Sequence, residues 1–508
     1  MNEKSPVLSG DEHNERLEAN VHPHQWINPK PAPRYNLVVM GAGTAGLVSA
    51  AIAANLGARV ALVEKRYMGG DCLNFGCVPS KTLIRSARAS HHASVSSRFG
   101  IECCEPVAVN FSLVMDRVRG IRSKISAHDS VQRFTKMGVD VFLGEAVFAS
   151  NNRIEVAGSS LFFKKSIIAT GTRPFIPNIP GLSESGFLTN ETVFELKDLP
   201  KRLAIIGAGP IGCELAQAFQ RLGSQVILIH KNEHILDRED AQAAAIVQDQ
   251  FIREGIDLRL QSQVSHVMRS NEFRKINLIQ SDREECVEVD AILVASGRVP
   301  NVTGLGLDLA GVIYDEIHGI KVNDYLQTSN PSIFSAGDVC MKQRFTHVAD
   351  ATARIAIENA LFRKSKKTSD LIIPWCTYTD PEIAHVGIYE NEAAGMGAQT
   401  RSISIDISEV DRSITDGCDT GFCKVLIDVK NGRILGATIV GPVAGEMVSQ
   451  ITLAMKTNIR LADISSTIYP YPTQSMILKK IADTFMGSRL TPKLKWLSKT
   501  WFSVRRLI

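Results

Sequence analysis

Residues 35–46 read YNLVVMGAGTAG, an apolar run that leads directly into three closely spaced glycines. The run predicts a buried strand, and the Ala-rich segment that follows, through Asn55, predicts a helix. A second apolar run, residues 59–63, ends at Glu64. This order predicts a βαβ unit that binds a dinucleotide, with the pyrophosphate at the helix N-terminus and Glu64 on the ribose hydroxyls. The tight turn, the close backbone approach and the helix–strand packing would be provided by Gly41, Gly43 and Gly46.

The same pattern recurs at residues 202–231. Strand 202–206 leads into a second glycine fingerprint, a helix and the strand 225–229. Here the acid position holds His230, followed by Lys231. A carboxylate accepts from a ribose 2′-hydroxyl and repels a 2′-phosphate, whereas a basic pair does the reverse, so this site favours NADPH over NADH. The alternative is that one of the two sites no longer binds a cofactor. Both fingerprints keep all three glycines, which argues against this alternative; in the second fingerprint they are Gly207, Gly209 and Gly212.

Composition limits the class of protein. The chain has 508 residues, of which 44% are hydrophobic and 22% charged, as in ordinary globular proteins. A net charge of +4 is too small for a nucleic-acid binder. Ten cysteines at irregular spacing do not make a disulfide scaffold, and the N-terminus shows no apolar signal segment. We therefore expect a cytoplasmic protein in which a disulfide would be catalytic rather than structural.

Cys72 and Cys77 stand five residues apart in GGDCLNFGCVPSK, residues 69–81. The residues from Ser80 onward predict a helix, so Cys77 should lie just ahead of its N-terminus, where the helix dipole lowers a thiol pKa. A thiolate beside a second thiol is what dithiol–disulfide exchange requires.

Two other interpretations of this cysteine pair are a zinc half-site and two unrelated structural cysteines. Zinc would need two more ligands, and the nearest candidates are Cys103 with Cys104, or Cys418 with Cys423. The sequence contains no Cys-x-x-Cys pair, so the redox interpretation is favoured. We expect no structural metal site and place Cys103–Cys104 in a surface loop.

Residues 69–81 resemble the redox-active disulfide motif of the class I pyridine nucleotide–disulfide oxidoreductases, which include glutathione reductase, dihydrolipoamide dehydrogenase and mercuric reductase. The resemblance spans roughly residues 35–487. Further matching segments are Ala169–Gly171, Ser296–Asn301, Thr328–Asp338, His347–Ala349 and Thr379–Glu382.

The resemblance implies an α/β fold with two Rossmann-like dinucleotide-binding domains, for FAD and NAD(P), plus an α+β dimerisation domain, assembled as a homodimer. The implied FAD-binding domain is discontinuous, and two tails flank the family domains. The expected boundaries are 1–34 for a flexible N-terminal tail, 35–180 and 300–370 for the FAD domain, 181–299 for the NAD(P) domain, 371–487 for the dimerisation domain, and 488–508 for a basic, aromatic C-terminal tail.

The resemblance also assigns roles by position. Cys77 would be the flavin-proximal thiolate, Cys72 the interchange thiol, and Lys81 would pair with Glu214 beside the flavin. FAD would lie on Gly41, Gly43, Gly46, Glu64, Lys81, Ala146 and Asp338, with His347 in the loop beside it. NADPH would lie on Gly207, Gly209, Gly212, His230, Lys231, Val264 and Gly297.

Tyr471 distinguishes the possible substrates. The disulfide reductases of the family carry a His and a Glu in a His-Pro-x-x-x-Glu pattern; here Tyr471 and Met476 occupy those positions, so no carboxylate remains to orient a base. A phenol is a poor base at pH 7, so glutathione reductase and dihydrolipoamide dehydrogenase activity are disfavoured. A tyrosine here resembles the mercuric reductase branch, in which Cys72 and Cys77 would be transient Hg(II) ligands. The likeness implies that Tyr471 reaches the thiols of a second subunit.

The resemblance leaves three functions open. The first is reduction of Hg(II) to Hg(0) with NADPH. Against it, this chain ends without the vicinal cysteines that relay Hg(II) in mercuric reductase and lacks the N-terminal metal-carrier domain. The second is NAD(P)H-dependent disulfide reduction with an unknown small-molecule acceptor. The third is a low-turnover, membrane-docked redox sensor, because residues 488–508 carry six basic residues, no acidic ones and the aromatic residues Trp496, Trp501 and Phe502, a composition that fits an anionic lipid surface.

Overall fold

The computed structural model describes two compact units. Residues 10–102, 107–270, 272–280, 283–395, 397 and 399–506 are described. The larger unit contains Met1–Glu233 and Glu254–Leu371, and the smaller unit contains His234–Arg253 and Ile372–Ile508. The boundary expected after residue 370 therefore falls at Leu371.

The apolar run that opens the first fingerprint forms the middle of a sheet in the larger unit. Strand Tyr35–Met40 pairs in parallel with Val60–Glu64 on one side and with Ser159–Ile168 on the other. Burial on both faces explains why the strands Tyr35–Met40 and Val60–Glu64 are mostly apolar rather than alternating. The remaining strands of this sheet are Val139–Leu143, Ala146–Ser150, Arg153–Val156 and Ile333–Ser335.

Helices cover this sheet and carry the cysteine segment. The helix after the first fingerprint is Thr44–Asn55, and it packs against Thr346–Leu361. The other helices of this region are Gly70–Asn74, Cys77–Ser94, Phe111–Ser126 and Val131–Lys136.

The second fingerprint opens a second parallel sheet in the same unit. Strand Arg202–Ile206 pairs with Gln225–Ile229 and Ala291–Val294, and Asp257–Arg259 adds the outer edge. Helix Pro210–Arg221 follows the glycines. The fold class predicted from the two fingerprints is confirmed by these two sheets. An antiparallel sheet completes the region with strands Gln263–Ser270, Phe273–Gln280 and Arg283–Val289, and short pairs join Thr172–Pro174 with Arg298–Pro300 and Tyr314–Asp315 with Gly319–Ile320.

The N-terminal segment is ordered, so the prediction of a flexible tail over 1–34 is wrong for the stretch that begins at Asp11. Helix Glu12–Val21 is capped by Asp11, whose side chain accepts from the Asn14 amide at 3.0 Å. Leu17 and Val21, one helical turn apart, are buried in the core of the larger unit. The tail looked polar on average, but two apolar residues on one face are enough to dock a short helix.

The strands of the smaller unit pair antiparallel, as expected for an α+β domain. Its sheet runs in the order Pro374–Thr377, Glu382–Gly387, Ile434–Gly441, Phe422–Asp428 and Thr400–Asp406. Its helices are Ala241–Arg253, Glu390–Gly395, Asp411–Thr415, Ala444–Lys456, Leu461–Ser465, Met476–Ser488 and Pro492–Arg505.

Residues 234–253 were expected in the NAD(P) domain, but they group with the smaller unit. Polar side chains hold them there. The Trp375 indole and the Tyr389 hydroxyl both donate to Glu239, each at 2.9 Å to one carboxylate oxygen. Lys424 lies 2.8 Å from Asp240. No local sequence signal marks these partners, because they are more than 130 residues away along the chain.

Candidate active site

Cys72 and Cys77 lie on two consecutive helices. Cys72 is in the short helix Gly70–Asn74, and Cys77 is the first residue of helix Cys77–Ser94. This helix therefore begins three residues earlier than Ser80, where it was predicted to start. The thiol of Cys77 thus sits within the first turn, where unpaired backbone N–H groups and the helix dipole favour a negative charge.

The two sulfurs are reduced in this structure and have opposite electrostatic environments. A hydrogen bond from the Cys72 thiol, aided by Thr346 and by the charge of Lys81, lowers the pKa of Cys77 to about 6. The same hydrogen bond, together with burial, raises the pKa of Cys72 far above its usual range. The Thr346 hydroxyl lies 3.2 Å from the Cys77 sulfur. Cys77 is therefore the thiolate of the pair at neutral pH, and Cys72 keeps its proton.

Lys81 stands one helical turn after Cys77 and meets a carboxylate from the second fingerprint helix. Its ammonium nitrogen lies 2.7 Å from Glu214, whose side chain is only 6% exposed. The ion pair joins the helix that carries the thiolate to the helix that follows the second glycine fingerprint. It fixes the positive charge that stabilises the Cys77 thiolate.

The first glycine fingerprint, residues Gly41–Gly46, forms a tight turn that we call the first cradle. A residue with a side chain would clash with the backbone at its first and third glycines. A Cβ at Gly46 would lie 1.8 Å from the carbonyl oxygen of Gly41, and one at Gly41, where φ is +98°, would lie 2.4 Å from that of Ala169. The Glu64 carboxylate accepts from the Ala42 amide at 2.7 Å and from the Arg66 amide at 2.8 Å. These bonds orient the carboxylate at the end of the strand, as the dinucleotide fingerprint requires. Burial raises its pKa, and the two amides act in the opposite direction.

The remaining candidate FAD residues lie in the same unit. Asp338 accepts from the Thr172 hydroxyl at 3.3 Å, and burial raises its pKa while the charge of Arg298 opposes that rise. His347 lies in the first turn of helix Thr346–Leu361. Ala146 opens the strand Ala146–Ser150. The glycine cradle, the Glu64 carboxylate and the Asp338 carboxylate form a donor and acceptor set that fits FAD.

The second fingerprint repeats this construction with a histidine. A Cβ at Gly212 would lie 1.9 Å from the carbonyl oxygen of Gly207. His230 accepts from the Ala208 amide through Nδ1 at 3.3 Å, the bond that Glu64 makes in the first site. Lys231 is exposed beside it. Of the other candidates, Val264 is buried in the strand Gln263–Ser270 and Gly297 adopts a φ of +128°.

Tyr471 lies in the smaller unit, and its side chain is 69% exposed. Its hydroxyl donates to Asp411 at 3.0 Å, and this hydrogen bond raises the pKa of the phenol. The inference that no carboxylate accompanies Tyr471 is therefore wrong. Asp411 lies 60 residues away along the chain, where no motif marks it. The loop is anchored next to this contact, because Gln474 accepts from Ser413 at 2.7 Å.

The sequence offers two other cysteine pairs as possible zinc ligands, Cys103 with Cys104 and Cys418 with Cys423. Cys103 and Cys104 lie outside the described residues. Cys418 is exposed and Cys423 is fully buried in the smaller unit. Among the described residues, no group of three or more His, Cys, Asp or Glu side chains is placed to hold a metal ion.

Comparison with known proteins places this geometry in a family. Residues 35–354 match the model of the pyridine nucleotide-disulphide oxidoreductases, and residues 373–482 match that family's dimerisation domain. The chain is 34% identical to a mercuric reductase of Lysinibacillus sphaericus over 89% of this chain and 82% of the relative. It is 32% identical to a dihydrolipoyl dehydrogenase of Mycoplasma pneumoniae over 88% of this chain and 97% of the relative.

A similar solved structure is the Cu(II) complex of an HOCl-induced flavoprotein disulfide reductase from Escherichia coli. It superposes with a TM-score of 0.80 at 26% identity and covers 89% of this chain and 100% of that chain. The family uses FAD and a pyridine nucleotide, and the matched dimerisation domain supports homodimer formation. The chain belongs to the pyridine nucleotide-disulphide oxidoreductases.

Proposed function

We propose that this oxidoreductase reduces Hg(II) to Hg(0) with NADPH. In the overall balance, one NADPH is oxidised to NADP⁺ with release of a proton for each Hg(II) ion that gains two electrons. FAD, when bound, supplies the two-electron relay between the pyridine nucleotide and the cysteine pair. The protein's own part is to hold both nucleotides, to present two thiols to the metal and to keep one of them ionised.

The observation that carries the proposal is the Cys72–Cys77 pair at the start of helix Cys77–Ser94, in which the pKa of Cys77 is lowered. Cys77 is ionised at neutral pH because its pKa is lowered to about 6 by the Cys72 hydrogen bond and by nearby polar and cationic groups. Soft thiolates are strong ligands for a soft metal ion. The similarity to mercuric reductases over most of the chain supports the same substrate.

The Tyr471–Asp411 pair argues against acid–base chemistry on a disulfide substrate. Asp411 holds the phenol proton and raises its pKa, so Tyr471 stays neutral at physiological pH. A neutral phenol can place its oxygen near a metal held by thiols, but it is a poor general base. We propose that Tyr471 serves the cysteine pair of the second subunit in the homodimer.

The candidate nucleotide residues have separate tasks in this proposal. FAD would be held by the Gly41–Gly46 cradle, Glu64 and Asp338, and NADPH by the Gly207–Gly212 cradle, His230 and Lys231. Because Nδ1 of His230 accepts from the Ala208 amide, the ring N–H lies on Nε2. Lys231 adds a positive charge at the same strand end.

A second candidate function is reduction of a small disulfide. The relatives also include dihydrolipoyl dehydrogenases, and the Escherichia coli neighbour is a flavoprotein disulfide reductase. This activity would use the same Cys72–Cys77 pair. It needs a proton donor and acceptor for the substrate thiols, a task for which Tyr471 is poorly suited.

The test is NADPH-driven release of volatile mercury by the flavin-loaded protein, with Hg(II) supplied as a thiol complex. We expect steady release that falls to the free-flavin background in Cys72→Ser, while NADPH still bleaches the flavin of that variant. The matched control is Cys286→Ser, which removes an exposed cysteine from an antiparallel strand away from the pair and should leave release unchanged.

Two outcomes would contradict the proposal. If the wild-type protein releases no mercury although NADPH bleaches its flavin, Hg(II) is not the substrate, and disulfide reduction becomes the leading function. If Cys72→Ser releases mercury at the wild-type rate, the dithiol mechanism is wrong.

A further inference from the structure

The C-terminal residues form a helix that lies on the outside of the molecule. The terminal helix, Pro492–Arg505, begins with a proline in its first turn and is capped by Thr491, whose hydroxyl accepts from the Leu494 amide at 3.2 Å. These are standard N-terminal signals, so the sequence itself favours a helix here. None of the residues Pro492–Arg505 is buried.

The terminal helix has an apolar face that remains in contact with solvent. At 100° per residue, positions 494, 497, 501 and 504 fall on one side. Their side chains are between 45% and 60% exposed, although burial of such groups is favourable. Two further large aromatic side chains flank this stripe at more than 60% exposure. The apolar stripe comprises Leu494, Leu497, Trp501 and Val504, and the flanking residues are Trp496 and Phe502.

The opposite face is basic. Lys495, Lys499 and Arg506 fall within about 40° of one another on the helical wheel, more than 90° from the Leu494–Leu497–Trp501–Val504 stripe. Residues 488–508 contain six basic residues and no acidic ones. The other two basic residues of the helix, Lys493 and Arg505, lie within about 20° of the two edges of the stripe. A helix with Trp and Leu along one side and Lys and Arg at its edges and on the opposite side is typical of segments that lie in the headgroup region of a bilayer.

We propose that the terminal helix binds the surface of an anionic membrane. Its apolar stripe would enter the boundary between headgroups and acyl chains, and its lysines and arginines would face the anionic headgroups. The helix lies in the plane of the interface, because no helix among the described residues is long and apolar enough to cross a membrane. Charge complementarity selects this partner, since an anionic surface attracts a segment that has no acidic residue of its own.

The experiment is co-sedimentation of the full-length, flavin-loaded protein with vesicles. We expect binding to vesicles that contain phosphatidylglycerol, little binding to pure phosphatidylcholine, and weakening as ionic strength rises. Lys495→Ala with Lys499→Ala should reduce partitioning about thirtyfold, from two charges near the surface. Leu497→Ala with Trp501→Ala should reduce it by at least about tenfold.

The matched control is Ser503→Ala, which lies on the basic side of the helix and should leave partitioning unchanged. Equal retention by both kinds of vesicle, or retention by neither, would overturn the proposal. So would dissociation of the homodimer in the Leu497→Ala, Trp501→Ala variant, because a second copy of the chain would then cover the stripe. Preferential binding to duplex DNA over anionic vesicles would identify a nucleic acid as the partner instead. Mercury release is measured on the same variants and does not depend on this outcome.

Discussion

The two nucleotide cradles of this chain share one backbone design and differ in a single kind of side chain. In both, a Cβ on the third glycine would lie within 2 Å of the carbonyl oxygen of the first, at 1.8 Å for Gly46 and 1.9 Å for Gly212. In both, a side chain at the end of the second strand accepts from the backbone amide after the first glycine. That side chain is Glu64 in the first cradle and His230 in the second. The glycines set the geometry, and the residue at the strand end sets the charge offered to the ribose.

The surroundings of the middle glycine differ as well. A Cβ at Gly43 would come within 3.7 Å of Gly70, the residue that opens the short helix of Cys72. A Cβ at Gly209 would meet no atom of the described chain within 4 Å. The segment that carries Cys72 and Cys77 therefore lies beside the first cradle, whereas the middle glycine of the second cradle faces open space. A retained cofactor suits the first environment, and a nucleotide that enters and leaves in each turnover suits the second.

The largest expected effect comes from the third glycine of each cradle. Gly46→Ala should weaken FAD retention and Gly212→Ala should weaken NADPH binding by up to roughly a hundredfold, because a clash with backbone costs up to about 3 kcal/mol. FAD is measured by absorbance after desalting, and NADPH by fluorescence titration. Gly487→Ala is the control, since its Cβ also meets no atom of the described chain within 4 Å and it lies in helix Met476–Ser488 of the smaller unit; NADPH binding as weak in this variant as in Gly212→Ala would contradict the steric argument.

An intermediate effect is expected from exchanging the charge at the second strand end. His230→Glu with Lys231→Ala should move the ratio of kcat/KM for NADPH to that for NADH at least about tenfold toward NADH, because a carboxylate repels a 2′-phosphate. Lys231→Ala alone should produce a smaller shift in the same direction. If the ratio does not change in the double variant, the difference between His230 and Glu64 does not select the nucleotide.

The smallest expected effect tests whether the charge of Lys81 lowers the pKa of Cys77. Above a pH of about 6 Cys77 should be a thiolate, and below it a thiol, because its pKa lies below the usual value for cysteine. The alkylation rate of Cys77 in the reduced enzyme, mapped by mass spectrometry, should rise through that pH. Lys81→Met should move the midpoint upward by about one pH unit, since a cation is lost. A wild-type midpoint near the ordinary value of cysteine would contradict the assignment of Cys77 as the thiolate.

Much of the fold was predictable because its signals are local. Each fingerprint places an apolar strand, a glycine turn and a helix within about thirty residues, and steric exclusion at the glycines leaves few alternatives. The redox pair is equally local, since Cys72 and Cys77 are five residues apart. Helix Cys77–Ser94 begins three residues before the predicted start at Ser80, because Pro79 lies in its first turn, where a residue needs no intrahelical N–H donor.

The two dinucleotide-binding folds, the cysteine pair and the amphipathic pattern of the terminal helix can be inferred from the sequence, because these features depend on residue spacing within one or two elements. Three features emerge only in the folded chain: Asp411 accepts from Tyr471, residues 234–253 join the smaller unit, and the N-terminal helix docks through Leu17 and Val21. Those contacts join residues far apart along the chain. They arise because burial brings their side chains together, and no local pattern of residues records which partners will meet.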